Sequence, residues 1–248
     1  FLLEGRPKYI LLGGTDDEPI EMDEDLKSVK IDEEENLSFA KMHVRYRKEI
    51  VSFGVDDVNV WEQTGRYLEP NEWEQMMNEE DVILLDARNK VEWEIGKFKN
   101  AVTLNIEHFR DFPQKINEIE KYKDKKILAY CTGGIRCEIL SVAMKNRGFK
   151  EIYQIDGGIV RYGEKFKDNS NWEGSLYTFD GRMSVDFSDK AKVIGECENC
   201  GGATKQFYNC NTQSCHSLIL LCSECAAMPS NLSCIHSKER QRDSETIG

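Results

Sequence analysis

Four short apolar runs constrain this chain most: Val82-Ile83-Leu84-Leu85, Ala101-Val102-Thr103-Leu104, Ile127-Leu128-Ala129-Tyr130 and Ile152-Tyr153-Gln154-Ile155. Each is too short for a helix. Stretches with helical spacing lie among them, at Pro70 to Asn78, around Phe112 to Tyr122, at Cys137 to Arg147 and at Ile159 to Phe166. Strands of this length alternating with helices read as βα units on a parallel sheet. The expected fold class is therefore α/β, a parallel sheet flanked by helices over residues 64–172. Residues 1–60 carry strand-like runs at Tyr9 to Leu12 and Lys41 to Phe53 and read as part of a small α+β domain. Residues 173–248 hold seven of the nine cysteines and read as a separate module.

The net charge of −12 is unevenly spread, because residues 1–40 alone hold 12 acidic and 4 basic residues. The stretch Asp16 to Glu35 reads as a solvated acidic loop. An acidic average argues against a chain built wholly for nucleic acid, but leaves room for a local basic face. Such a face is visible in the second strand. Lys41, His43, Arg45 and Arg47 alternate with Met42, Val44 and Tyr46, so the basic side chains share one side. They could meet a phosphate backbone, or form the solvent side of an amphipathic strand. No run of about 18 apolar residues exists, so no membrane-spanning helix is expected. The chain starts at Phe1 rather than Met, and its native N-terminus is expected upstream.

The chemistry is expected at Cys131. The segment Cys131-Thr132-Gly133-Gly134-Ile135-Arg136-Cys137 joins the strand ending at Tyr130 to a helix ending before Gly148. Two glycines let the chain curl so that its amides turn inward, and the helix start adds partial positive charge. Arg136 adds a full charge at the rim, and all three effects favour the thiolate, which is the nucleophile. Cys-x4-Arg is one residue shorter than the Cys-x5-Arg cradle of phosphatases and suits a sulfur- or oxygen-sized group better than a phosphate. With Arg136 as its one base, the loop is a poor trap for the thiosulfate dianion. Cys137 is either a small supporting residue under the loop or a resolving partner for an oxidised Cys131. Asp86 and Arg88, at the end of a strand, either serve the loop and its substrate or form a structural ion pair.

The segment Leu84-Leu85-Asp86-Ala87-Arg88-Asn89 with Glu92 and Gly96, the Cys131 loop, and Asp156-Gly157-Gly158-Ile159 resemble a rhodanese domain. More narrowly, Cys131 to Glu138, Met42 to Gly54 and Phe179 to Asp186 resemble the rhodanese-like tRNA uridine hydroxylase family. The resemblance implies a rhodanese domain preceded by a partial, ferredoxin- or acylphosphatase-like α+β domain. It implies oxygen-dependent 5-hydroxylation of the wobble uridine, with molecular oxygen as co-substrate, tRNA as partner and Cys131 as the catalytic cysteine. The runner-up is a persulfide sulfurtransferase that passes sulfane sulfur through Cys131 from a donor to an acceptor protein. A non-catalytic scaffold is the third reading. No two-histidine, one-carboxylate spacing points to catalytic iron.

The tail carries Cys197-x2-Cys200, Cys210-x4-Cys215, Cys222-x2-Cys225 and Cys234-x-His236. Eight ligands of this kind equal two tetrahedral zinc sites of structural type. First pair with third and second with fourth is one arrangement, and sequential pairing is the other. The first three pairs are the stronger candidates, since Cys-x-His is an unusual spacing. Thiols kept for zinc and for nucleophilic work suit a reducing compartment, so the chain is expected to be cytoplasmic.

Overall fold

The computed structural model describes residues 51–54, 64–212, 215 and 217–234. Five strands form one wholly parallel sheet in the order β1-β6-β5-β2-β4. They are β1 (Arg66–Leu68), β2 (Val82–Asp86), β4 (Val102–Thr103), β5 (Lys126–Tyr130) and β6 (Glu151–Ile155). Between them run α1 (Pro70–Met77), the single-turn α2 (Lys90–Trp93), α3 (Phe112–Lys115) and α4 (Ile135–Asn146), and α5 (Gly158–Phe166) follows β6. A two-stranded antiparallel ribbon, β3 (Gly96–Phe98) with β7 (Trp172–Gly174), lies outside this sheet.

Side chains along β5 alternate between the two faces of the sheet, as the pleat requires. Ile127 and Ala129 enter a core with Phe112, Leu140 and Met144, while Leu128 and Tyr130 enter one with Trp73, Ile159 and Tyr162. Cys131 continues the first register and joins the first core. Helices α3 and α4 thus cover one face, and α1 and α5 the other. The second face is rich in rings: Phe98 makes edge contacts to Tyr130, Tyr162 and Trp172 at centroid distances of 4.8, 4.7 and 5.3 Å.

From β2 the chain moves outward to β4, whereas from β5 it moves the opposite way to β6. The loops after β2 and β5 therefore part at the carboxyl edge of the sheet, where α/β folds make their crevices.

Several expected elements differ in extent. The helix after the Cys131 loop starts at Ile135, because Gly134 adopts φ 96° and caps it directly. Phe112 to Tyr122 is one α-turn followed by a 3-10 stretch, Ile116–Tyr122. Its buried residues Ile116 and Ile119 recur at three, the 3-10 period. The strand expected over Ala101 to Leu104 is only Val102–Thr103. Lys41 to Arg47 and Tyr9 to Leu12 lie outside the described residues. Of the second expected strand only Val51 to Phe53 are described; they are not in a strand, and Phe53 packs on Phe109 at 4.9 Å.

Beyond β7, a hairpin forms from β8 (Leu176–Tyr177) and β9 (Ser184–Val185), and another from β10 (Phe207–Asn209) and β11 (Leu218–Leu220). The four-residue α6 (Ser223–Ala226) follows. Leu220 packs with Ile95 and Tyr177, which seats this region on the turn between α2 and β3. No described helix is long and apolar enough to cross a membrane.

Candidate active site

Cys131 sits where β5 ends, with no exposed surface, so its sulfur lies at the bottom of the loop rather than at its mouth. Two helix starts fix the loop. The Gly134 amide donates to the sulfur at 3.1 Å as α4 begins. The amides of Ile159 and Val160, in the first turn of α5, donate to the carbonyls of Cys131 and Thr132 at 3.1 and 3.2 Å. That packing requires glycine at 158. A Cβ there would lie 2.3 Å from the Thr132 carbonyl oxygen, and φ is 66°. Thr132, Gly133 and Ile135 are half-buried and form the accessible edge.

Burial pushes the Cys131 thiol up. A hydrogen bond from the Cys137 thiol, the Arg136 charge and the amides of Cys137 and Arg136 outweigh it and bring the pKa to about 6. Burial and the neighbouring thiolate push Cys137 well above the usual thiol range. The two shifts run in opposite directions, with the Cys137 thiol donating to the Cys131 sulfur.

Arg136 is not the free rim charge that the sequence suggested. It is 7% exposed, and its guanidinium donates to both oxygens of Glu92, at 2.5 and 2.7 Å. Glu92 has no exposed surface, yet the Arg136 charge holds its carboxyl below the ordinary range against the effect of burial. The Thr132 hydroxyl donates to the same carboxylate at 3.2 Å and accepts from Arg136 at 3.2 Å. Glu92 therefore ties the loop after β2 to the loop after β5. Sequence reasoning placed it only in a motif. The spacing Asn89-x-x-Glu92 is that of a capping box, and the Asn89 amide donates to Glu92 at 3.1 Å. Nothing in that spacing signals the second partner.

Asp86 and Arg88 form a buried ion pair. Both have no exposed surface, and Arg88 donates to Asp86 through Nε at 2.9 Å and through the terminal nitrogen at 2.6 Å. It also donates to the Gly96 carbonyl at 2.7 Å and lies 5.0 Å from the Trp172 ring.

In the tail, Cys197, Cys200, Cys222 and Cys225 place their sulfurs within 4.8 Å of one another, as do Cys210, Cys215 and Cys234. Of the two pairings left open, this is the interleaved one. The Cys200 and Cys222 sulfurs are 3.8 Å apart, close to the edge of a tetrahedron with ~2.3 Å zinc–sulfur bonds. The Gly202 amide turns to the Cys200 sulfur at 3.4 Å, helped by Gly201 at φ 72°. Four thiolate donors with amides facing them fit a closed, structural metal centre. The three-cysteine cluster would need a further ligand, and His236 lies outside the described residues. The basic set Lys41, His43, Arg45 and Arg47 also lies outside them.

Residues 69–165 match the Rhodanese-like domain family, and residues 173–238 match the Rhodanase C-terminal family. The chain is 50% identical over 222 residues to the tRNA uridine(34) hydroxylase of Corynebacterium jeikeium (strain K411), covering 85% of this chain and 71% of that protein. It is 52% identical over 201 residues to the protein of that name from Corynebacterium urealyticum, covering 77% and 67%. The corresponding Arthrobacter sp. (strain FB24) protein is 49% identical over 209 residues, covering 79% and 70%. A thiolate loop on a rhodanese sheet, followed by a matching C-terminal region and joined to relatives at this identity, makes the chain a member of the tRNA uridine(34) hydroxylase family.

Proposed function

We propose that this protein hydroxylates C5 of uridine 34 in tRNA, with Cys131 as nucleophile and molecular oxygen as co-substrate. The observation that carries the reading is the Cys131 sulfur, buried and still held at a pKa of about 6 in a chain of this family. A thiolate of this kind adds to C6 of uracil and places an electron pair at C5. Oxygen taken up there yields the hydroxyl once an external thiol-class reductant supplies two electrons and water leaves. Loss of the C5 proton and expulsion of Cys131 restore the ring. The Gly134 amide and the Cys137 thiol hold the sulfur's negative charge before addition and after expulsion. Thr132, Gly133 and Ile135 form the edge that meets the base, and Lys41, His43, Arg45 and Arg47 are assigned to the tRNA backbone.

Zinc is the metal assigned to Cys197, Cys200, Cys222 and Cys225, because four thiolates in a tetrahedral set leave no open position and suit a structural ion. Cys210, Cys215 and Cys234, completed by His236, are assigned to a second zinc.

Nucleoside mass spectrometry of tRNA from a strain lacking this gene tests the reading. The native gene restores 5-hydroxyuridine, and a Cys131→Ala copy leaves it at the level of the deletion. Unchanged tRNA with lost sulfane-sulfur transfer supports a persulfide carrier instead.

A further inference from the structure

Two sulfurs lie together under the loop. Cys131 has no exposed surface, Cys137 is 1% exposed, and both belong to one apolar cluster. The turn between them is closed locally. The Gly134 amide donates to the Cys131 sulfur at 3.1 Å, and the Cys137 amide donates to the Gly134 carbonyl at 3.0 Å. Cys137 also reaches the Cys131 sulfur itself, through its amide and through its thiol. The other seven cysteines stand at position 197 or beyond. A thiol is a weak donor, and the amides of Gly134, Arg136 and Cys137 already serve the sulfur. What a thiol adds to those amides is a pair of oxidisable electrons. Hydroxylation by molecular oxygen needs such a pair where the oxygen is bound. A base resting on Thr132, Gly133 and Ile135 lies above both buried sulfurs and in the path of any external thiol.

We infer that Cys137 is a further catalytic residue, the internal reductant that takes one oxygen atom from the peroxide on C5 and then joins Cys131 in a disulfide. The inference rests on the hydroxylation reading above. Once the Cys131 thiolate has added to C6, C5 takes up oxygen and a proton and carries a hydroperoxide. The Cys137 sulfur attacks the outer oxygen and the O–O bond breaks. The outer OH stays on sulfur as a sulfenic acid, and the thiol proton goes to the oxygen left on C5. Loss of the C5 proton then breaks the C6–S bond, which releases 5-hydroxyuridine and the Cys131 thiolate. That thiolate attacks the Cys137 sulfenic acid, so an S–S bond forms and hydroxide leaves as water. Dioxygen gains four electrons, two from the ring and two from the thiol pair. An external thiol-class reductant reopens the disulfide by exchange after the base has left.

A single-turnover experiment in air tests this. The native protein is reduced, freed of small thiols and mixed with tRNA from the deletion strain, and nucleosides and cysteine peptides are read by mass spectrometry. The expected result is a Cys131–Cys137 disulfide formed in step with 5-hydroxyuridine, one for one, with further turnovers only when dithiothreitol is added. Hydroxyuridine without the disulfide overturns the inference, as does a disulfide that forms equally fast without tRNA. This arm needs no variant. Cys137→Ser keeps a hydroxyl donor beside Cys131 but has no sulfur to oxidise. Its 5-hydroxyuridine is expected to be lost and not rescued by dithiothreitol, while the pH midpoint of Cys131 alkylation stays near the native value. Native yield in Cys137→Ser overturns the role of Cys137 and leaves the hydroxylation reading intact. If the native protein makes no 5-hydroxyuridine even with dithiothreitol present, the hydroxylation reading itself fails and the role of Cys137 falls with it.

Discussion

Replacing Arg88 by methionine is expected to lower stability by about 3–5 kcal/mol, the cost of leaving one partner of a buried ion pair alone. The Asp86 carboxylate has no exposed surface, and without the guanidinium its remaining donor in the pair is the Arg88 backbone amide at 3.0 Å. Methionine keeps most of the volume beside Trp172 and Tyr130, so the loss reports charge more than a cavity. The effect reaches the loop as well. Arg88 holds the Gly96 carbonyl, which anchors the end of the short turn that carries Glu92. Chemical denaturation followed by tryptophan fluorescence measures the change. The double variant Asp86→Asn/Arg88→Met is expected to recover most of it, since an apolar or neutral replacement of both partners is far cheaper than breaking one. An Arg88→Met protein of native stability with only a raised KM would show the pair to be a substrate site instead.

Stripping metal from the tail is expected to unfold residues 195–234 while the parallel sheet persists. The apolar cluster of this region is built largely from cysteines, with Cys197, Cys210 and Cys234 buried beside Ile219 and Leu221. Four thiolates within 4.8 Å repel one another unless a cation sits between them. Apparent binding free energies of about 10–16 kcal/mol for structural zinc exceed what so small a core supplies. Limited proteolysis after treatment with a strong chelator is the measurement. Cleavage should concentrate between Gly195 and Cys234, and zinc should restore protection. Cys222→Ser should show the same cleavage without chelator. Protection that survives complete metal removal would contradict the assignment. Because Leu220 packs on Ile95, some loosening of the turn before β3 should accompany unfolding.

Much of the site could be read from the chain because its parts are contiguous. The run Ile127 to Tyr130, the glycines at 133 and 134 and Arg136 lie within ten residues, so local backbone chemistry sets their geometry. The cysteine pairs were legible for the same reason, since Cys-x2-Cys is a local turn. The pairing between distant turns was not legible, because it depends on how β10 and β11 fold back. Glu92 and Arg136 are 44 residues apart and meet only because β2 and β5 are neighbours in the sheet. The ribbon of β3 and β7 escaped notice for a related reason. Its strands are three residues each, and they pair across more than 70 residues. The 3-10 stretch after α3 was read as α-helix because apolar residues three apart satisfy both periods.

The pH dependence of the Cys131 thiol also sets a direction for stability. Its folded pKa of about 6 lies below that of a free cysteine, near 8.5. Its contribution is therefore complete above the unfolded value and is lost as pH falls through about 6. The most direct measurement is the rate of Cys131 alkylation by iodoacetamide as a function of pH, followed on the Cys131 peptide. A midpoint near 6 is expected, together with a shift toward the free-cysteine value in Cys137→Ala, which lacks the donor thiol. A midpoint at or above the free-cysteine value in the native protein would mean that amides, thiol and guanidinium do not overcome burial, and the assignment of Cys131 as nucleophile would fail with it.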